Sequence, residues 1–289
     1  MIAFRQFFSF VVSILCLTVS YSVSAQESQQ AAPEYGWKRQ IIGNINLTQA
    51  SFDNWEQGGE SALAWQVNLN TTFTLDREKY SWSNSGKFTL GFAKVGDTEA
   101  KKSDDVINIE SVFTRKLTKL LNPFVAVTAK TQFVSGFEFD GDEKTKVSEF
   151  MDPGYFTQSV GVGYAPNDVI KTRVGFSVKE TITSDFPIPY ADDPDTPEIE
   201  KTKIEPGISS VTDVKKNFQE DVLFTSKLDI FSDLEAFDRI DVLWENSLTL
   251  KVTKFINVSV NVDLLYDKDI SDKYQLKQVL AVGLTYAFL

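Results

Sequence analysis

Residues 61–75, SALAWQVNLNTTFTL, alternate from end to end. Ser61, Leu63, Trp65, Val67, Leu69, Thr71, Phe73 and Leu75 fall on one parity; Ala62, Ala64, Gln66, Asn68, Asn70, Thr72 and Thr74 fall on the other. Successive side chains of a strand point to opposite faces, so the run has one apolar, aromatic face and one small, polar face. At roughly 3.3 Å per residue it reaches about 50 Å, more than twice the usual strand of a soluble sheet. A strand of that length and regularity predicts the wall of a membrane-spanning barrel, apolar towards lipid and polar towards the lumen. In that frame Leu63, Trp65, Val67, Leu69 and Phe73 face lipid, and Gln66, Asn68 and Asn70 face the lumen.

Working outward, the pattern recurs. Residues 41–50 precede it, and residues 80–94, 106–117, 124–133, 155–165 and 170–182 follow. Three more alternating runs, 239–252, 255–266 and 274–289, close the sequence. Between them, residues 220–231 read as an eleventh strand. An odd count would leave the two chain ends on opposite sides of a membrane. Reading residues 204–214 as a further, weaker strand, with a turn at 215–218, gives twelve and brings both ends to one side, as an even antiparallel barrel requires. The connections then sort by end. Residues 76–79, 119–122, 166–168, 215–218 and 253–254 make short turns on one side. Residues 51–60, 94–105, 136–154, 183–203, 233–238 and 267–273 make the longer ones on the other. Short turns facing the periplasm and long loops facing outward are the habit of outer-membrane barrels. The fold class expected is all-β, an antiparallel transmembrane β-barrel of about twelve strands.

The start of the chain fits export. Residues 1–25 carry one charge, Arg5, then an apolar run and a Val23-Ser24-Ala25 ending with the small-x-small form of a cleavage site, so they read as a cleaved signal peptide. Residues 26–38 read as a periplasmic lead and residues 39–289 as the barrel. Cys16, the single cysteine, lies inside the signal. The remainder offers neither disulfide nor thiol chemistry. Basic residues number 29 against 40 acidic ones, and losing Arg5 leaves 28 against 40, a charge of −12. Such a surface repels nucleic acid.

The chain also contains no histidine. Acyl-transfer and hydrolytic sites of barrel enzymes mostly depend on a histidine base or acid, so no enzymatic activity and no cofactor are expected. The informative polar positions are instead those of lumen parity. Glu110, Lys130, Arg173, Lys179, Lys227, Asp229, Asp241, Glu245, Asp263 and Lys277 are assigned to the lumen, with Lys251 beside them. Two roles compete for them: a mutually neutralising network that braces the interior, and the walls of a selective polar path. Twelve strands enclose a space between that of a filled eight-stranded barrel and that of an open porin. The acidic segments 140–143 and 192–195 offer carboxylates to a divalent cation, but without the spacing of a defined calcium loop, so solvated charge is the expectation. Tyr80, Trp82, Trp244 and Tyr286 are candidates for the aromatic belts at the bilayer edges.

Several blocks resemble a known family. They are residues 49–61 (QASFDNWEQGGES), 130–139 (KTQFVSGFEF), 147–168 (VSEFMDPGYFTQSVGVGYAPND), 239–267 (RIDVLWENSLTLKVTKFINVSVNVDLLYD) and the terminal 282–288. The family is a set of Gram-negative outer-membrane β-barrel proteins catalogued only as a domain of unknown function. Residues 182–216 depart from its pattern. The resemblance implies architecture and location in the cell outer membrane, and carries no activity or functional residue with it. The ending Tyr286-Ala287-Phe288-Leu289 is similar to the carboxyl signal read by the barrel assembly machinery, with Leu289 added after the usual final Phe. The expected role is a non-enzymatic barrel, either a narrow transport pore for a small polar solute or a structural surface barrel. Its expected surroundings are outer-membrane lipid and lipopolysaccharide. The competing reading is a soluble, lipocalin-like barrel whose apolar faces turn inward around an apolar ligand.

Overall fold

The computed structural model describes residues 35–52, 59–141, 143–193, 196–237, 239–268 and 273–288. The signal expected at 1–25 and the first part of the lead lie outside the described residues. Fourteen strands are formed among the described residues. They are β1 (Gly36–Ala50), β2 (Ala62–Asp76), β3 (Tyr80–Val95), β4 (Lys101–Arg115), β5 (Leu121–Thr131), β6 (Gly136–Asp140) and β7 (Glu143–Ser148). The others are β8 (Gly154–Tyr164), β9 (Ile170–Ile182), β10 (Thr202–Gln219), β11 (Val222–Asp233), β12 (Ile240–Lys251), β13 (Ile256–Tyr266) and β14 (Gln275–Ala287). Twelve of them close an antiparallel barrel in chain order, β5 pairing with β8 across the separate β6–β7 hairpin. The seam joins β1 to β14, with Ile45 opposite Leu284.

The register carries the alternation faithfully round the wall. Leu69 stands opposite Gly43 and Phe88, while Asn68 stands opposite Asn44 and Thr89, so each parity stays on one face from strand to strand. Which face is inside follows from contacts through the interior. Lys87 on β3 reaches Glu245 on β12 at 2.6 Å, although these strands lie nearly opposite each other in the barrel. The apolar parity therefore points out. Leu280 is 73% and Leu284 62% exposed, and Ile45, Ile109, Val125, Val160, Phe176 and Val282 are exposed with them. Such a continuous apolar band far exceeds what a soluble monomer presents to water. A soluble barrel with apolar faces turned inward would have the opposite arrangement. Two indoles on this outer face find partners there: Trp82 Nε1 donates to Ser111 Oγ and Trp244 Nε1 to Ser226 Oγ, each at 2.9 Å.

Several boundaries differ from those expected, for identifiable reasons. The first strand begins at Gly36, not at 41 or at a domain boundary of 39, because the ladder with β2 runs through the non-alternating Trp37-Lys38-Arg39-Gln40 down to Gly36 opposite Asp76. β4 begins at Lys101, inside the segment 94–105 read as a loop; its charged KKSDD start is paired past a register shift at Gly91/Phe92. The strand read as weak is the longest of all, 18 residues, and its turn falls at Glu220–Asp221 rather than 215–218. Pro206 and Gly207 break its pattern, yet both stay in register with Val178 and Ser177. The loop 136–154 contains the β6–β7 hairpin, and the insertion 183–203 contains one helical turn, Pro187–Tyr190, before β10 resumes at Thr202. Tyr80 and Trp82 sit at the start of β3 and Tyr286 near the end of β14, as belt residues should, whereas Trp244 lies in the middle of β12.

One close approach is built on glycine. Gly161 and Gly175 face each other across β8 and β9; a Cβ on Gly161 would stand 2.1 Å from the Val174 carbonyl oxygen, and one on Gly175 2.4 Å from that of Val160. Neither obstacle is a side chain that can swing away. Gly161→Ala is expected to cost about 2 kcal/mol by forcing the two strands apart, read as a lower urea midpoint for the barrel in lipid.

Candidate functional site

The interior parity places a belt of charge across the lumen. Glu110 on β4 accepts hydrogen bonds from the Arg173 guanidinium on β9 and, at 3.2 Å, from Lys227 Nζ on β11. Lys87 meets Glu245, and Lys179 on β9 bridges Asp241 at 2.6 Å and Glu205 at 3.0 Å. Lys277 on β14 reaches Asp104 at 2.8 Å and Asp263 at 3.6 Å. Eight of the residues expected in the lumen thus stand in these ion pairs: Glu110, Arg173, Lys179, Lys227, Asp241, Glu245, Asp263 and Lys277. Asp229 and Lys130 share the inward parity without an ion pair among the described residues. Three participants escaped the sequence reading. Lys87 lies in the alternating run 80–94 but is not among the residues assigned to the lumen. Asp104 was hidden in a presumed loop, although it shares parity with Asn108 and Glu110. Glu205 sat in the strand read as weak.

The two sides of this belt differ. On the wall made by β5 and β8–β11, Phe124 and Phe231 point inward and are 4% and 7% exposed. The Arg173 guanidinium lies 6.0 Å from the Phe124 ring centre and Lys179 Nζ 4.8 Å from that of Phe231. The Phe231 ring fits only because position 207 is glycine: an added Cβ would stand 2.3 Å from it. Ser177, fully buried, hydrogen-bonds Ser159 at 2.7 Å and also Ser209. This side is filled.

The facing wall, β1–β3 with β13 and β14, is lined by carboxamides and hydroxyls. Asn46 Nδ2 donates to Gln66 Oε1 at 2.9 Å, Asn44 Nδ2 to Thr285 Oγ1 at 2.9 Å and to Asn257 Oδ1 at 3.2 Å, and Thr89 Oγ1 to Asn68 Oδ1 at 3.0 Å. Gln66 Nε2 donates to Asp104 at 2.8 Å, joining this net to the charged belt. Towards the short-turn end the wall opens into a cavity of about 510 Å³ whose lining includes Lys38, Gln40, Thr72, Thr74, Asp76 and Lys171.

At the other end the long loops are tied to one another. Asp105 accepts from the amides of Phe133 and Val134, at 2.7 and 2.9 Å. The buried Asp152 carboxylate accepts from the amides of Ser184 and Asp185, at 2.9 and 2.7 Å, holding the insertion that leads to the helical turn. Hydrogen bonding to the Lys144 ammonium, with its charge, holds the Glu99 carboxyl below its ordinary range. The Thr196 hydroxyl and the Asp193 amide do the same for Glu200, and burial pushes the Tyr190 phenol up. In the segments named for cation binding, Asp192 is occupied with the Glu200 amide, while residues 142, 194 and 195 lie outside the described residues. A different trio, Glu149, Asp152 and Asp185, brings carboxylate oxygens within 4.8 Å, but Asp152 is satisfied by amides and Glu149 by Lys146. Asp152→Ala removes two charge-assisted hydrogen bonds. Residues 183–201 are then expected to be cut by an added protease about tenfold faster, the barrel itself staying resistant.

Residues 47–137 match the family described as "Protein of unknown function (DUF3078)". The match runs from β1 into the β6–β7 hairpin and bears out, over that stretch, the resemblance carried by residues 49–61 and 130–139. No curated protein matches the chain. Among solved structures, the translocator domain of the autotransporter NalP from Neisseria meningitidis is 10% identical, with 98% of this chain and 95% of that one covered and a TM-score of 0.39. An outer membrane channel from Pseudomonas putida F1 is 8% identical, with 92% and 99% covered and a TM-score of 0.40. The NanC porin is 7% identical, with 86% and 97% covered and a TM-score of 0.38. At such values the lumen has to be read from this chain's own side chains.

Proposed function

We propose that this chain is a non-enzymatic barrel of the Gram-negative outer membrane that passes small polar solutes through a narrow lumen. One observation carries the reading: an outward apolar band surrounds an interior whose charges are mostly ion-paired and whose wall along β1–β3, β13 and β14 is lined by amides and hydroxyls and opens into a cavity. The apolar band needs lipid, and the short turns, the start of β1 and the end of β14 belong on the periplasmic side. Lipopolysaccharide surrounds the long-loop end, and the assembly machinery engages the terminal strand. Most of the interior charges are engaged with one another, and the chain has no histidine to serve as a base beside a nucleophile. The test is single-channel recording of the folded protein in a planar bilayer. Small, stable current steps, well below those of an open sixteen-stranded porin, are expected. Folded protein that carries no current would make it a structural barrel instead.

A further inference from the structure

The belt does not divide the lumen evenly, and exposure tells where the open space lies. Lys87 and Lys277 have side chains 40% exposed, whereas Arg173 and Glu110 are 14% and 16% exposed. The two exposed lysines stand on β3 and β14, the strands that flank β1 and β2. Asn70 and Thr72, inward by parity, are exposed as well, and Thr72 lines the cavity at the short-turn end. The Lys87–Glu245 pair therefore acts as a partition. Behind it, towards β5 and β8–β11, lie Phe124, Phe231 and the buried serines; in front of it lies water-accessible space bounded by β1, β2, β13 and β14.

Resting on the pore reading above, we infer that solutes cross along this amide wall and that the cargo is small, uncharged and rich in hydroxyls. The chemistry of the wall carries the second half of the statement. Asn44, Asn46, Gln66, Asn68, Asn70, Asn257 and their serine and threonine neighbours each offer both a donor and an acceptor, the combination a hydroxyl also offers. Midway along the space the bordering charges are neutralised, Lys87 by Glu245 and Lys277 by Asp104 and Asp263, while at the short-turn end Lys38, Arg39 and Lys171 share the cavity lining with Asp76 and Asp168. An ion that sheds hydration water there gains no uncompensated counter-charge, so its entry costs more than that of a polyol, whose hydroxyls exchange water for amides.

Cys16 is the only cysteine, so a Cys16→Ser background permits single-site labelling. Asn70→Cys and Ser209→Cys place a thiol on the open and the filled wall respectively. An uncharged, bulky methanethiosulfonate is expected to cut the Asn70→Cys current at least twofold and leave the Ser209→Cys current unchanged. Equal effects, or an effect at Ser209 alone, would overturn the path. In liposome swelling, glucose is expected to enter about tenfold faster than gluconate or glucosamine of similar size. Equal rates, or faster entry of either charged solute, would overturn the cargo class. Wild-type protein that folds and carries no current would remove the pore reading itself, a result distinct from a current insensitive to labelling at Asn70.

Discussion

Leu69→Arg should lower the stability of the barrel in a bilayer by about 2–4 kcal/mol, while Asn68→Lys, one residue away, should cost less than about 1.5 kcal/mol. Leu69 is the central residue of β2 and is exposed on the apolar outer face, so a guanidinium there meets hydrocarbon. Its long stem can bend towards a headgroup, which keeps the cost finite. Asn68 points the other way, into the net formed with Asn44, Gln66 and Thr89. A lysine there gives up a few neutral hydrogen bonds and extends its ammonium into a polar lumen. Urea titrations of folding into lipid vesicles, read by fluorescence and by heat-dependent gel mobility, separate the two. Similar penalties would mean that the parity has been assigned to the wrong faces.

The same contrast shows what could be read from residues alone. β2 was legible because its alternation runs over 15 residues with Thr71 as the one polar residue on the apolar face. β10 was nearly missed because Pro206 and Gly207 interrupt its pattern, although pairing with β9 on one side and β11 on the other carries it through. A propensity signal is local, whereas a barrel strand is held by two neighbours at once. The interior shows the limit from the other direction. Charged residues of lumen parity were recognisable, but Phe124 and Phe231 were not, since hydropathy sends an aromatic side chain to the lipid even where its parity, shared here with Lys130 and with Lys227 and Asp229, points inward. Their inward placement depends on what faces them, an arginine and a lysine over the rings and a glycine at position 207, and those neighbours come from strands far apart in sequence. Asp104 was lost for a simpler reason: a run of five charged and polar residues looks like a loop until its partners in β3 are known.

The largest internal effect is expected at Glu110. Its carboxylate is shared by Arg173 and Lys227, which reach it from β9 and β11 on other parts of the wall. Replacing it by glutamine keeps the shape and removes the charge, leaving two cations facing each other in an enclosed part of the belt. Breaking one partner out of a buried ionic group typically costs 3–5 kcal/mol, because the remaining charges are left uncompensated. Asp213, directly opposite Lys227 in the ladder, and Asp229, one step further along the same face, temper the loss. Glu110→Gln is therefore expected to cost about 3 kcal/mol, at the lower end of that range. The double variant Glu110→Gln/Lys227→Met should recover part of it, since one of the two stranded cations is then gone and the methionine stem fills much of the same space. A double-mutant cycle by urea titration in lipid reads this as a coupling of 1 kcal/mol or more, about the size expected of residues in one network. Additive costs would mean that the cations are already hydrated by the lumen and that Glu110 braces nothing. Because the Lys87–Glu245 partition is anchored on different strands, the single Glu110→Gln variant should fold less stably yet, once folded, keep the passage along β1 and β2 open.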